Sequence, residues 1–143
     1  MRLDPQAPIE ERLRLDADLA ELERLTAWLD SFCKRHGIPE EPHYHLNIAV
    51  EELVLNAIQH GRCSPPEGAI GVVLRLSGAA LDITITDTGT AFNPLDAPPP
   101  DLTNSLADRP VGGLGVHLVR SLMNSIEYQR AGGENRTHLR KNL

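Results

Sequence analysis

The chain has 143 residues, 41% of them hydrophobic but only 3% aromatic, with a net charge of −6. That length suits one domain spanning 1–143, large enough to bury an aliphatic core without staples. The acidic balance argues against a general nucleic-acid surface, and no uncharged apolar run is long enough to cross a bilayer. The N-terminal stretch MRLDPQAPIEERLRLD lacks the apolar centre of a secretory signal. Cys33 and Cys63 form no CxxC pair and read as free thiols of a reducing, cytoplasmic compartment. Only the C-terminal end is basic, through Arg130, Arg136, Arg140 and Lys141, and it reads as a solvated strand edge.

In chain order, ERLRL at 11–15 alternates and predicts a short edge strand. From 18 to 36 the positions Leu19, Leu22, Leu25, Ala27, Leu29 and Phe32 fall mostly at helical spacing, with Asp16 or Asp18 as cap and Gly37 and Pro39 as the stop. Trp28 reads as packing on this helix, or half-exposed, rather than as a ligand contact. A second helix runs from about 42 to 61, where Gly61 supplies the stop. The stretches AIGVVLRLSG and ALDITITD alternate around Ser77-Gly78 and predict an antiparallel hairpin. Residues 88–111 show no period and include Pro94, Pro98, Pro99, Pro100 and Pro110; so long a loop in a compact domain is a functional lid or disordered. Helical spacing returns in VHLVRSLMNSI, with Val119, Leu122, Met123 and Ile126 on one side. Two closing strands follow at 125–130 and 135–143, joined at Gly132-Gly133. This is an α+β two-layer sandwich, with helices on one face of a mixed, mostly antiparallel sheet.

Three places break the pattern. In VEELVLNAIQH, apolar residues cover nearly the whole helix circumference, yet Glu52, Asn56 and His60 share one stripe at i, i+4 and i+8. A buried carboxylate is costly unless paired or used, so either the stripe meets solvent at the sheet's rim or it carries chemistry. His60, near the helix end, reads as a residue that complements the helix dipole rather than as a ligand. Asp87 ends the series Leu81, Ile83, Ile85 and therefore points to the covered face, where a ligand's amino group or a turn amide would satisfy it. Gly89 then serves a positive φ or a close approach. In VGGLGVHLVR, Gly112, Gly113 and Gly115 open a helix, a place where bare N–H groups attract phosphates, although no Walker A lysine follows.

The order of these elements resembles the GHKL (Bergerat-type) ATP-binding fold: E-x-x-x-N on a helix, D-x-G after a strand, a loop, then G-x-G opening a helix. The details AVEELVLNAIQHG, DTGTAFNP, GGLGVHLVRSLMNSIEY and GGENRTHLRKNL look most like the anti-sigma-factor serine/threonine kinases. The resemblance implies that Glu52 is the general base and that Asn56 holds Mg²⁺ against the phosphates of ATP. It implies that Asp87 accepts from the adenine amino group, with Gly89 letting the base approach. Gly113 and Gly115 would lie beside the phosphates, Thr137 near the nucleotide, and 88–111 would form the ATP lid. Implied partners are a small anti-sigma-factor antagonist as phosphoacceptor and a sigma factor or similar regulator, with a homodimer plausible and neither nucleic acid nor membrane engaged. The alternative is a nucleotide-sensing partner switch without turnover. His117 stands where relatives usually carry an apolar or aromatic residue, and Asn124 where an acidic one is common.

Overall fold

The computed structural model describes residues 7–96 and 113–143. Along the chain run β1 (Ile9–Leu15), α1 (Leu22–Arg35), α2 (Glu40–His60), β2 (Ile70–Ser77), β3 (Ala80–Asp87), α3 (Gly113–Leu122), β4 (Ser125–Ala131) and β5 (Glu134–Asn142), with single 3-10 turns at Leu19–Glu21 and Pro94–Asp96. The strands form one sheet in the order β1-β2-β3-β5-β4. All four pairings are antiparallel, so the expected parallel component of a mixed sheet is absent among the described residues. Of the expected lid, residues 97–111 lie outside the described residues, as do Gly112 and four of the five prolines named for that loop.

Local chemistry explains most boundaries. The Asp18 carboxylate accepts from the Ala20 amide and starts the turn that leads into α1. Gly37, at φ +65°, ends α1 while the Ile38 amide donates back to Cys33 O. The second helix begins at Glu40, two residues before the expected Pro42, because proline is tolerated in a first turn where its missing N–H has no partner anyway. Its end at Gly61 is as read, but the left-handed residue that follows is Arg62 (φ 49°), not a glycine. The third helix stops at Leu122, and Ile126 belongs to β4, paired with Leu139. Ile126 fits a helical stripe and the inner face of a strand equally well, which is why the helical spacing overran.

One sheet face is covered. Leu15, Ile70, Val72, Leu74, Leu81, Ile83 and Leu139 meet Leu25, Leu29 and Phe32 of α1, and Leu46, Val50 and Val54 of α2, in a single aliphatic core. Trp28 packs at the edge of that core, as expected. The opposite face carries a cross-strand row Glu10, Arg75, Asp82 and Arg140, which alternates in sign, with Glu10–Arg75 and Asp82–Arg140 each at 4.0 Å. No described helix is long and apolar enough to cross a membrane. The basic C-terminal residues divide: Arg136 and Arg140 sit on the open face near Glu134 and Asp82, whereas Arg130 donates to Gly89 O and Lys141 to Leu122 O.

Glu11 pins α1 to the edge strand. Its carboxylate accepts two bonds from Arg35, at 2.5 and 2.7 Å, and contacts His36 at 3.1 Å. The Arg35 hydrogen bonds, reinforced by His36, hold the Glu11 carboxyl down at about 2. A depressed folded pKa stabilises above the unfolded value, and that stability is lost as pH falls through the folded one. Glu11→Gln should therefore cost about 0.5–1 kcal/mol at neutral pH, the range for a partly exposed pair. The difference from wild type should shrink between about pH 4.5 and 2, which urea melts across that window would show.

Candidate functional site

The covered face of the sheet changes character at one end. Antiparallel register sets Ile83 opposite Leu139, Ile85 opposite Thr137 and Asp87 opposite Asn135. The inner face thus runs apolar until the last two rows and then turns polar. Over that end lies the C-terminal half of α2. The result is a narrow cleft between Asn56, Ala57 and Gly61 on one side and Asp87, Asn135 and Thr137 on the other, lined also by Phe92 and Pro94. All four polar residues are buried: Asn135 is 3%, Asn56 4%, Thr137 7% and Asp87 8% exposed.

Asp87 faces inward, as alternation required. Its Oδ1 accepts from the Gly89 amide at 2.9 Å and from Asn135 Nδ2 at 2.9 Å. The turn amide, one of the two partners considered for Asp87, is therefore present. Gly89 has no positive φ. Its glycine identity follows from close approach to α2: a Cβ there would fall on the Gly61 carbonyl. Thr90 N–H donates to the same carbonyl at 2.6 Å. The segment after β3 is thus strapped to the end of α2. Phe92 completes the strap by stacking on His60, with centroids 5.1 Å apart and rings inclined by 19°. Residues 88–96, the root of the expected lid, are fixed to the fold by these contacts and by Arg120, which donates to Leu95 O from α3 at 2.7 Å.

Glu52 lies one turn before Asn56 on the same α2 stripe. It is half-buried, and burial first, then the neighbouring charge of Glu51, pushes its carboxyl above the usual range. Gly115 explains its setting. A Cβ on Gly115 would overlap the Glu52 carboxyl, so the glycine lets the first turn of α3 close onto the acid. Gly113 begins α3, and both glycines stand where a helix N-terminus exposes backbone N–H groups. The structure brings Glu52, Asn56, Asp87, Gly89, Gly115 and Thr137 around the C-terminal half of α2. His60 stacks on the strap rather than serving only the helix end.

Sequence reasoning missed Asn135, Phe92, Tyr128 and Arg130. Asn135 is the most connected: besides Asp87 it donates to Thr90 O at 2.7 Å, and its Oδ1 accepts from Phe92 N at 3.2 Å and from the Tyr128 hydroxyl. Cys33 is a free thiol pushed up to about 11 by burial, and burial and the charge of Asp87 also raise Cys63, so neither is a ready thiolate. Among the described residues no three His, Cys, Asp or Glu side chains converge as a metal cage. An ion that takes one protein oxygen and completes its shell from phosphates and water fits the single Asn56 amide on the cleft wall.

A helix-borne acid and amide, a clamped aspartate at a strand end and a glycine-opened helix meet over one sheet. The chain belongs to the histidine kinase-like ATPase domain family, whose model matches residues 15–141. It is 31% identical over 108 residues to the serine/threonine-protein kinase BtrW of Bordetella bronchiseptica, covering 76% of each chain. To the serine-protein kinase RsbW of Bacillus velezensis it is 27% identical over 130 residues, covering 87% of this chain and 79% of that one. The fold is shared with the crystal structure of the RsbU and RsbW domains of a Mycobacterium tuberculosis protein, with TM-score 0.72 and 18% identity. That alignment takes in 97% of this chain and 33% of the longer one. The α+β sandwich and the family expected from the sequence both hold.

Proposed function

We propose that this chain is a Mg·ATP-dependent protein serine/threonine kinase that phosphorylates a small antagonist protein and, when not so engaged, holds a sigma factor or similar regulator, acting as a homodimer in the cytoplasm. One observation carries the reading most: Asn56 lines a cleft whose other wall holds the clamped Asp87, and Glu52 lies one turn before Asn56 on α2. The names of the two kinases similar to this chain agree with it.

Each residue then has a task. Asp87 accepts from the exocyclic amine of the base, Thr137 lines the same end, and Gly89 keeps the strap close. Asn56 supplies the one protein oxygen to a magnesium ion that, when bound, neutralises phosphate charge. The amides at Gly113 and Gly115 face the phosphates. Glu52 takes the proton from the acceptor hydroxyl as its oxygen attacks the γ-phosphorus and the bond to the β-phosphate oxygen breaks. Phosphoryl transfer asks a protein for little beyond such positioning and charge balance.

Calorimetric titration of Mg·ATP into wild type and Asp87→Asn tests the binding half. Loss of a charge-assisted bond worth roughly 1.5–3 kcal/mol should weaken the variant at least about tenfold. Labelled ATP incubated with the candidate antagonist tests the transfer half, with label on Ser or Thr as the expected result. Absence of nucleotide binding by folded wild type would sink the proposal.

A further inference from the structure

Asn135 is a buried carboxamide with every bonding position used by the protein. An amide has two donor hydrogens and one acceptor oxygen. Here the two hydrogens go to Asp87 Oδ1 (2.9 Å) and Thr90 O (2.7 Å), and the oxygen accepts from Phe92 N (3.2 Å) and the Tyr128 hydroxyl. The four partners fix the polarity of the amide. Inverting it would set its oxygen against a carboxylate and a carbonyl and a hydrogen against the Phe92 N–H, and only the Tyr128 hydroxyl could turn to accept. Such an inversion loses three of the four bonds at once at a buried position.

The consequence falls on Asp87. Gly89 N and Asn135 Nδ2 both donate to Oδ1, and among the described residues Oδ2 receives no donor. Two bonds from different elements to one oxygen also resist rotation of the carboxylate. The cleft therefore offers a ligand one acceptor-only oxygen, beside an amide that cannot turn to offer a donor. We infer that Asn135 is a positioning residue for nucleobase selection: it holds Asp87 so that the cleft admits a base with an exocyclic amine and rejects one with a carbonyl at that position. A carbonyl there would put two acceptors face to face with no hydrogen between them.

This inference rests on the nucleotide reading of the cleft, and the test separates the two. Dissociation constants for Mg·ATP and Mg·ITP, which share ribose and triphosphate but carry amine and carbonyl respectively, are measured by calorimetry on wild type and Asn135→Ala. Wild type should prefer ATP by at least about tenfold. Asn135→Ala should lose about tenfold for ATP and stay within about twofold for ITP, so that the preference collapses. A role in stability alone would lower both equally and keep the ratio, which would overturn the inference. Should Asn135→Ala fail to fold by circular dichroism, Asn135→Ser retains one hydroxyl donor, and an intermediate preference is expected; an unchanged preference there overturns the inference equally. Wild type that binds both nucleotides alike keeps the nucleotide reading and refutes the role of Asn135. Wild type that binds neither removes both.

Discussion

Glu52→Gln should lower phosphoryl transfer by about 10²–10⁴-fold, the usual contribution of a general base, while Mg·ATP affinity stays within about twofold. Glutamine keeps the shape of the side chain against Gly115 and removes only its ability to take a proton. The pH dependence carries a second signature. Burial, with Glu51 next to it, raises the Glu52 pKa above the ordinary carboxylate range. Wild-type transfer should therefore fall on the acid side at a higher pH than a solvated glutamate would give, and the residual rate of the variant should not follow that limb. Stability moves in the opposite sense. A folded pKa above the unfolded one means that the folded state favours the neutral acid, so stability declines as pH rises through that window. At neutral pH the buried charge is a cost, reduced by solvent screening because the group is half-exposed. Glu52→Gln should thus melt slightly higher than wild type at pH 7, and the gain should vanish at acid pH. Transfer within tenfold of wild type would remove Glu52 from the chemistry and favour a nucleotide switch without turnover.

The layer architecture was legible because period-two and helical spacing each point one face at a common core, and the hairpin at 70–87 is nearly residue-exact. Asp87 was legible for the same reason: a charged residue closing an apolar series is visible as a violation. Asn135 was not, because β5 reads ENRTHLRKN, polar on both faces. Only its register against β3 reveals that Asn135, Thr137 and Leu139 mirror Asp87, Ile85 and Ile83. A signal existed in the single apolar Leu139 at the far end of that alternation, but it needed the pairing partner to be read. Gly115 shows a different limit. A glycine at a helix mouth suggests bare N–H groups, and the sequence holds nothing to say that a glutamate on another helix occupies the space of its missing Cβ. Gly89 is similar: its neighbour is the main chain at Gly61, a contact made by tertiary packing alone.

Gly89→Ala should therefore be among the most damaging single methyl additions in this protein. The backbone at Gly89 has no positive φ, so alanine is not strained by its own conformation. The obstacle is the Gly61 carbonyl, main chain at the end of α2, which has no rotamer by which to move aside. To accept the methyl group, the strap must retreat from α2. That breaks the 2.6 Å bond from Thr90 N to Gly61 O, separates Phe92 from His60 and pulls on the amide that holds Asp87. Overpacking costs about 1–3 kcal/mol, and the lost bonds put this site at the upper end. Mg·ATP affinity should drop at least about tenfold with it, since the displaced Gly89 amide is one of the two donors that orient the Asp87 carboxylate. Gly78→Ala is the informative contrast. That residue has φ +59° and open space around it, so alanine there meets conformational strain of about 1 kcal/mol and no collision. It lies in the β2–β3 turn, at the end of the strands away from Asp87, and nucleotide affinity should not change. Urea melts and calorimetry on the two variants would separate strain from collision. If Gly89→Ala matched Gly78→Ala in both stability and affinity, the strap's contact with α2 would have no part in shaping the cleft.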